Sequence, residues 1–176
     1  DEGWYEQVKQ RKKKRSLVNA IKKCKKIPVI AEVKPVSPSR GVLIKTNPEG
    51  VAKKMLRGGA CALSILAERR HFQGDIWLFG KQWPVPVLMK DFIISKRQIG
   101  HGDAVLLILP LLDMLGLSAD EFIDYAHSKG IEVLLEVHTL ADFRRAKRTK
   151  ADLLGINNRD LDTLEVDINN TINIPV

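Results

Sequence analysis

Six short apolar runs punctuate the chain, at residues 29–34, 62–67, 87–92, 104–109, 132–137 and 153–157. Each is built from Val, Leu, Ile, Ala or Met with few polar interruptions. Near-continuous runs of this length predict strands of a parallel sheet covered on both faces, where a half-exposed strand would alternate. The stretches between them have helical signatures. Asn47 stands where an N-cap is wanted, Pro48 opens residues 48–57, and Gly58-Gly59 stop them. Ser118 opens 119–128 with Gly130 as the stop, and Thr139 opens 140–150. Strand and helix in alternation predict an α/β fold. Two connections are brief: residues 75–82 after the second run, and only 100–103 between Ile99 and the fourth, too little for a full helix. No internal repeat is visible.

The carboxyl ends of the runs carry the chemistry. The first ends in Glu32 and Lys34, two apart and so on one face, and the turn residues Ser37, Pro38, Ser39 and Gly41 follow at once. The third ends in Lys90 and Phe92, the fifth in Glu136 and His138, the sixth in Asn157 and Arg159. Polar groups gathered at the carboxyl ends of parallel strands read as an active site. Each also has a plainer reading. Lys90 could serve a salt bridge with Asp91 or Glu32, Glu32 and Lys34 a same-face ion pair, and Arg159 a surface bridge to Asp160 or Asp162. Phe72 and Leu109 could be core, and His138 is read as a strand-end histidine. His71, His101 and His127 show no catalytic spacing.

Charge changes the picture at one place. Of the net +8, residues 1–26 hold +7, from ten Lys or Arg against three acids, and the remaining 150 residues are nearly neutral. Trp4, Val8, Leu17, Val18 and Ile21 supply an apolar stripe, with Ser16 as a break or N-cap. The expected organisation is a basic helical extension, 1–26, laid against a domain of 27–176. A solvated helical face is favoured over nucleic-acid binding, since no aromatic-interleaved platform accompanies the charge. The apolar runs fall short of the ~20 residues that span a bilayer, and the polar N-terminus is unlike a signal peptide. Cys24 and Cys61 make no CxxC or metal spacing, so free thiols in a reducing cytoplasm are expected. The sequon at Asn169-Asn170-Thr171 is read as accidental.

The motifs IAEVKPVSPSRG (30–41), LSILAERRHFQG (63–74), PVPVLMKDFII (84–94), AVLLIL (104–109), LLEVHT (134–139) and LLGINNRDLDTLEVD (153–167) resemble those of indole-3-glycerol phosphate synthase. The resemblance runs in family order from about residue 28 onward. It implies a (β/α)8 TIM-barrel fold, of which about six βα units are recognisable. Nothing resembles the family's seventh and eighth strands or their Ser-Gly and Gly-Ser loops, where such barrels often bind phosphate. A whole barrel takes about 250 residues, with about 200 as a lower figure. The implied reaction is ring closure of 1-(2-carboxyphenylamino)-1-deoxyribulose 5-phosphate with loss of carbon dioxide and water, in tryptophan biosynthesis, without cofactor or metal. On that resemblance Lys90 is the general acid, Glu136 the general base, Glu32 the partner of Lys90, and Asn157 the orienting amide. Lys34, Ser37, Phe92 and Arg159 are expected to bind substrate. The expected partner is a small phosphorylated molecule, with no nucleic acid or membrane. The expected state is a monomer or self-association through open barrel edges. The alternative is an impaired barrel fragment or scaffold needing a partner chain. Another phosphosugar barrel enzyme of the pathway, phosphoribosylanthranilate isomerase, lacks support because its Cys/Asp acid–base pattern is missing.

Overall fold

The computed structural model describes residues 3–8, 14–160 and 165–174. Six strands, β1 (Ile30–Val33), β2 (Ala62–Leu66), β3 (Val87–Lys90), β4 (Ala104–Ile108), β5 (Glu132–Val137) and β6 (Leu153–Ile156), form one sheet in chain order. Every pairing in it is parallel. The sheet curls into a partial (β/α)8 barrel, with β1 and β6 at the two ends of the strand order. Around it lie α1 (Leu17–Lys23), α2 (Pro48–Arg57), α3 (Leu109–Met114), α4 (Ala119–Ser128), α5 (Leu140–Ala146) and α6 (Asn169–Asn173).

Period-two alternation sorts each strand into two faces. Leu63, Ile65, Val87, Met89, Val105, Leu107, Val133 and Leu135 point outward and share one core with Ala52, Phe122, Ile123, Ala126 and Phe143 of the helices. Ala62, Leu88, Ala104, Leu106 and Ile108 point inward and form a second cluster with Leu17. In β2, β3 and β4 both faces are thus buried, as the near-continuous apolar runs predict, whereas β1 and β6 are only partly covered and the inward face of β5 is half-buried.

The local signals mostly act where they stand in the sequence. Asn47 accepts from the Glu49 N–H at 2.9 Å at the start of α2. Thr139 and Asp142 form a capping box that starts α5. That helix stops at Ala146, short of the predicted residue 150, because the Thr149 hydroxyl donates to the Ala146 carbonyl at 2.7 Å and turns the chain. The first brief connection holds a 3-10 turn, Ile76–Gly80, and a second 3-10 turn, Lys96–Gln98, comes just before the other, where no helix forms. The short helix α3 is absent from the sequence reading. Pro110 in its first turn starts it as soon as β4 ends, and Leu109 belongs to it.

The N-terminal segment clasps the barrel at both ends. At the carboxyl end of the strands, Trp4 Nε1 donates to the Ala67 carbonyl at 3.1 Å and Tyr5 Oη to Asp91 Oδ2 at 2.6 Å. At the amino end, the Glu132 carboxylate accepts from Ser16 Oγ and from the Leu17 and Val18 N–H groups, the last two at 2.7 and 3.0 Å. The fully buried Asp103 accepts from the Arg15 N–H at 2.9 Å and the Val87 N–H at 2.8 Å. Leu17 is thereby held with no exposure inside the barrel's floor. Of the predicted basic run, Lys9, Arg11, Lys12 and Lys13 lie outside the described residues.

Candidate active site

The inward alternation that buries Leu88 and Leu134 deeper in the barrel brings Glu32, Lys90 and Glu136 to its rim. A cleft of about 210 Å³ opens there. Seven of the eight site residues expected from sequence line it: Glu32, Lys34, Lys90, Phe92, Glu136, Asn157 and Arg159. Leu66, Leu106 and Ile108 form its apolar floor, with Glu68, Phe72 and Asp91 on the wall.

Lys90 Nζ donates to Glu32 Oε2 at 2.9 Å, reaching across β2 to do so. The two side chains are 39% and 31% exposed, so the pair adds little stability in water. Its consequence is orientation: a flexible ammonium is aimed across the cleft mouth. Of the two salt-bridge partners the sequence offered Lys90, the structure brings Glu32. Asp91 turns to Tyr5 instead.

Opposite, Glu136 Oε1 accepts from Asn157 Nδ2 at 2.9 Å and lies 3.1 Å from His138 Nε2. Register places Glu136 beside Gly155, so Asn157 is the next inward residue along β6. Its amide orientation follows from a second contact, since Asn157 Oδ1 accepts from the Arg159 N–H at 2.9 Å. Asn170 Nδ2 on α6 donates to the His138 carbonyl at 2.8 Å and to the Asn157 carbonyl at 3.0 Å, tying the two strand ends together.

The wall is aromatic and cationic. Phe72 and Phe92 have ring centroids 6.1 Å apart, and Lys34 Nζ lies 4.9 Å from the Phe72 ring. Phe72 is placed by Glu68, which accepts from the N–H groups of Arg70, His71 and Phe72 at 2.8, 2.7 and 2.9 Å. Burial alone would raise the Glu68 carboxyl, but those three donors favour its charged form and hold it below the usual range. Gly74 closes the same loop. A Cβ there would come within 2.5 Å of the Leu66 carbonyl oxygen, so only glycine fits. At Asp91 the balance reverses: burial raises the carboxyl above its ordinary value despite the donors Tyr5 and Phe92.

Ser37 is not among the lining residues. It sits buried in a small hairpin (Val36–Ser37 with Gly41–Val42), its hydroxyl 3.2 Å from that of Ser39. Leu109 is buried as the first residue of α3 and does not line the cleft. The sequence reading passed over Glu68 and Asp91. An acid just before a turn was the available signal for Glu68; Asp91 had none. Among the described residues, no group of three or more His, Cys, Asp or Glu is placed to hold a metal ion, and no helix is long and apolar enough to cross a membrane.

A parallel α/β barrel with paired acids and amines at the carboxyl ends of its strands defines the general class. A family-wide profile, "Indole-3-glycerol phosphate synthase", matches residues 3–175. The chain belongs to that family. A relative of that name from Methanocaldococcus jannaschii is 40% identical over 171 residues, covering 92% of this chain and 64% of the relative. Another from Methanopyrus kandleri is 42% identical over 159 residues, covering 84% and 61%. One from Aquifex aeolicus is 38% identical over 174 residues, covering 94% and 66%. The chain therefore spans about two-thirds of the length of these relatives.

Proposed function

We propose that the chain carries the family's activity, closing the ring of 1-(2-carboxyphenylamino)-1-deoxyribulose 5-phosphate with loss of carbon dioxide and water. The observation that carries this reading is the opposition of Lys90 and Glu136 across one cleft, each with a partner that orients it. Ring closure needs a proton at the ketone oxygen, and the Lys90 ammonium, aimed by Glu32, supplies it. Loss of carbon dioxide returns its electron pair to the benzene ring; in the final dehydration the Glu136 carboxylate, steadied by Asn157, takes the C–H proton while the hydroxyl, protonated from solvent, leaves as water. The Arg159 guanidinium suits the substrate carboxylate, with its planar fork of donors. Lys34 neutralises a second anionic group, and Phe72 and Phe92 flank the aromatic ring. Holding a flexible substrate folded contributes about 7–11 kcal/mol in favourable cases. The substrate is a small phosphorylated molecule of the cytoplasm, and these side chains supply each step without a cofactor.

The test is indole fluorescence on mixing the chain with that substrate. A rising signal that Lys90→Ala abolishes, in a protein with unchanged circular dichroism, is the expected outcome. Unchanged turnover in Lys90→Ala would remove Lys90 from its role. A second reading, an impaired barrel that associates with another chain, is favoured by one observation. Among the described residues, β1 and β6 end the strand order without pairing to each other.

A further inference from the structure

We infer that His138 is a positioning residue for Glu136, fixing which carboxylate oxygen meets the substrate. This rests on the proposed activity and adds a residue to it.

The argument begins with backbone. His138 follows the last residue of β5 by one, so it shares the inward parity of Glu136 and Leu134. Its backbone is clamped on both sides. The carbonyl accepts from Asn170 Nδ2 at 2.8 Å, and the next residue, Thr139, is locked in the capping box of α5. The imidazole therefore springs from a fixed base. Its side chain is 11% exposed and that of Glu136 is 12% exposed, so neither is a loose surface group.

The contact itself is 3.1 Å, from Nε2 to Glu136 Oε1. In the ionised form that a base requires, a carboxylate only accepts, so Nε2 carries the hydrogen and donates. Asn157 Nδ2 donates to the same oxygen at 2.9 Å. Two donors thus converge on Oε1, and Oε2 has no hydrogen-bond partner among the described residues. A carboxylate held by one oxygen from two directions cannot spin about its terminal torsion. Its second oxygen is the one left for a proton. Asn157 alone would leave that torsion soft; His138 removes the freedom.

The experiment has two arms. In the first, His138→Ala, His138→Phe and His138→Gln are assayed for indole formation. Glutamine carries an amide N–H at about the reach of Nε2, and phenylalanine keeps the ring's bulk without a donor. The expected result is a kcat about tenfold lower in His138→Ala and His138→Phe, the scale of one lost hydrogen bond to a charged group. KM stays unchanged and most of kcat returns in His138→Gln. A histidine that only filled space would be replaced best by phenylalanine, and that ranking would overturn the inference. In the second arm, ¹H–¹⁵N spectra of the free protein are read for a protected Nε2–H signal of His138 that shifts in Glu136→Gln. Its absence would also overturn the inference. This arm needs no turnover, so a chain that makes no indole fails the proposed function while the spectrum still decides whether His138 holds the carboxylate.

Discussion

Burial pushes the His101 imidazole below its ordinary 6.5, against the pull of its hydrogen bond to the Tyr5 carbonyl and aided by repulsion from Lys14. The ring is 4% exposed beside Phe79, and Nδ1 has no partner among the described residues, so the fold keeps it neutral. Below 6.5 the unfolded chain takes up a proton that the folded chain refuses. The stability His101 contributes is therefore complete above that value and is lost as pH falls through its lower folded value. Glu68 acts only below 4.5, and Asp91, raised by burial, acts in the opposite sense. The expected outcome is a falling urea midpoint from about pH 7 to about pH 5, with a shallower fall in His101→Phe. Equal slopes would place the titrating group elsewhere. At this scale the rim positions were legible, because Glu32, Lys90, Glu136 and Asn157 each end an apolar run. Glu68 and Asp91 were not. Their placement depends on loop N–H groups and on Tyr5, 86 residues from Asp91.

At the scale of elements, the capped helices were legible and the uncapped ones, α3 and α6, were not. Asn47, Ser118 and Thr139 mark their helices with side-chain acceptors, whereas α3 begins at Ile108 with no side-chain cap. Helix α1 shows why local signals are not enough. At seven residues it is too short to persist alone, and Ser16 caps it only in concert with Glu132. The Glu132→Ala variant strips the acceptor from Ser16 Oγ and from the Leu17 and Val18 N–H groups together. The expected cost is about 2 kcal/mol, read as a lower denaturation midpoint, with faster tryptic cleavage after Lys22 and Lys23. Unchanged cleavage would mean that burial of Leu17 alone holds the helix.

At the scale of the whole molecule, alternation predicted the parallel order but carries no information on how tightly the sheet curls. That follows from packing the inner cluster around Leu17. Among the described residues β1 and β6 do not pair with each other, and Ile27 and Val29 are exposed at 85% and 51% just before β1, which the second functional reading would cover with another chain. On the second functional reading, light scattering across a dilution series shows mass rising with concentration; a constant monomer mass would dismiss that reading. The clasp has a consequence for how the protein is made. Ser16 leaves the ribosome ahead of its acceptor Glu132, which lies 116 residues downstream. At about 5–20 residues per second, translation leaves the basic arm waiting on the order of ten seconds for its dock. Its positive charge keeps it solvated through that interval, so a segment synthesised ahead of the whole barrel is among the last to be fastened.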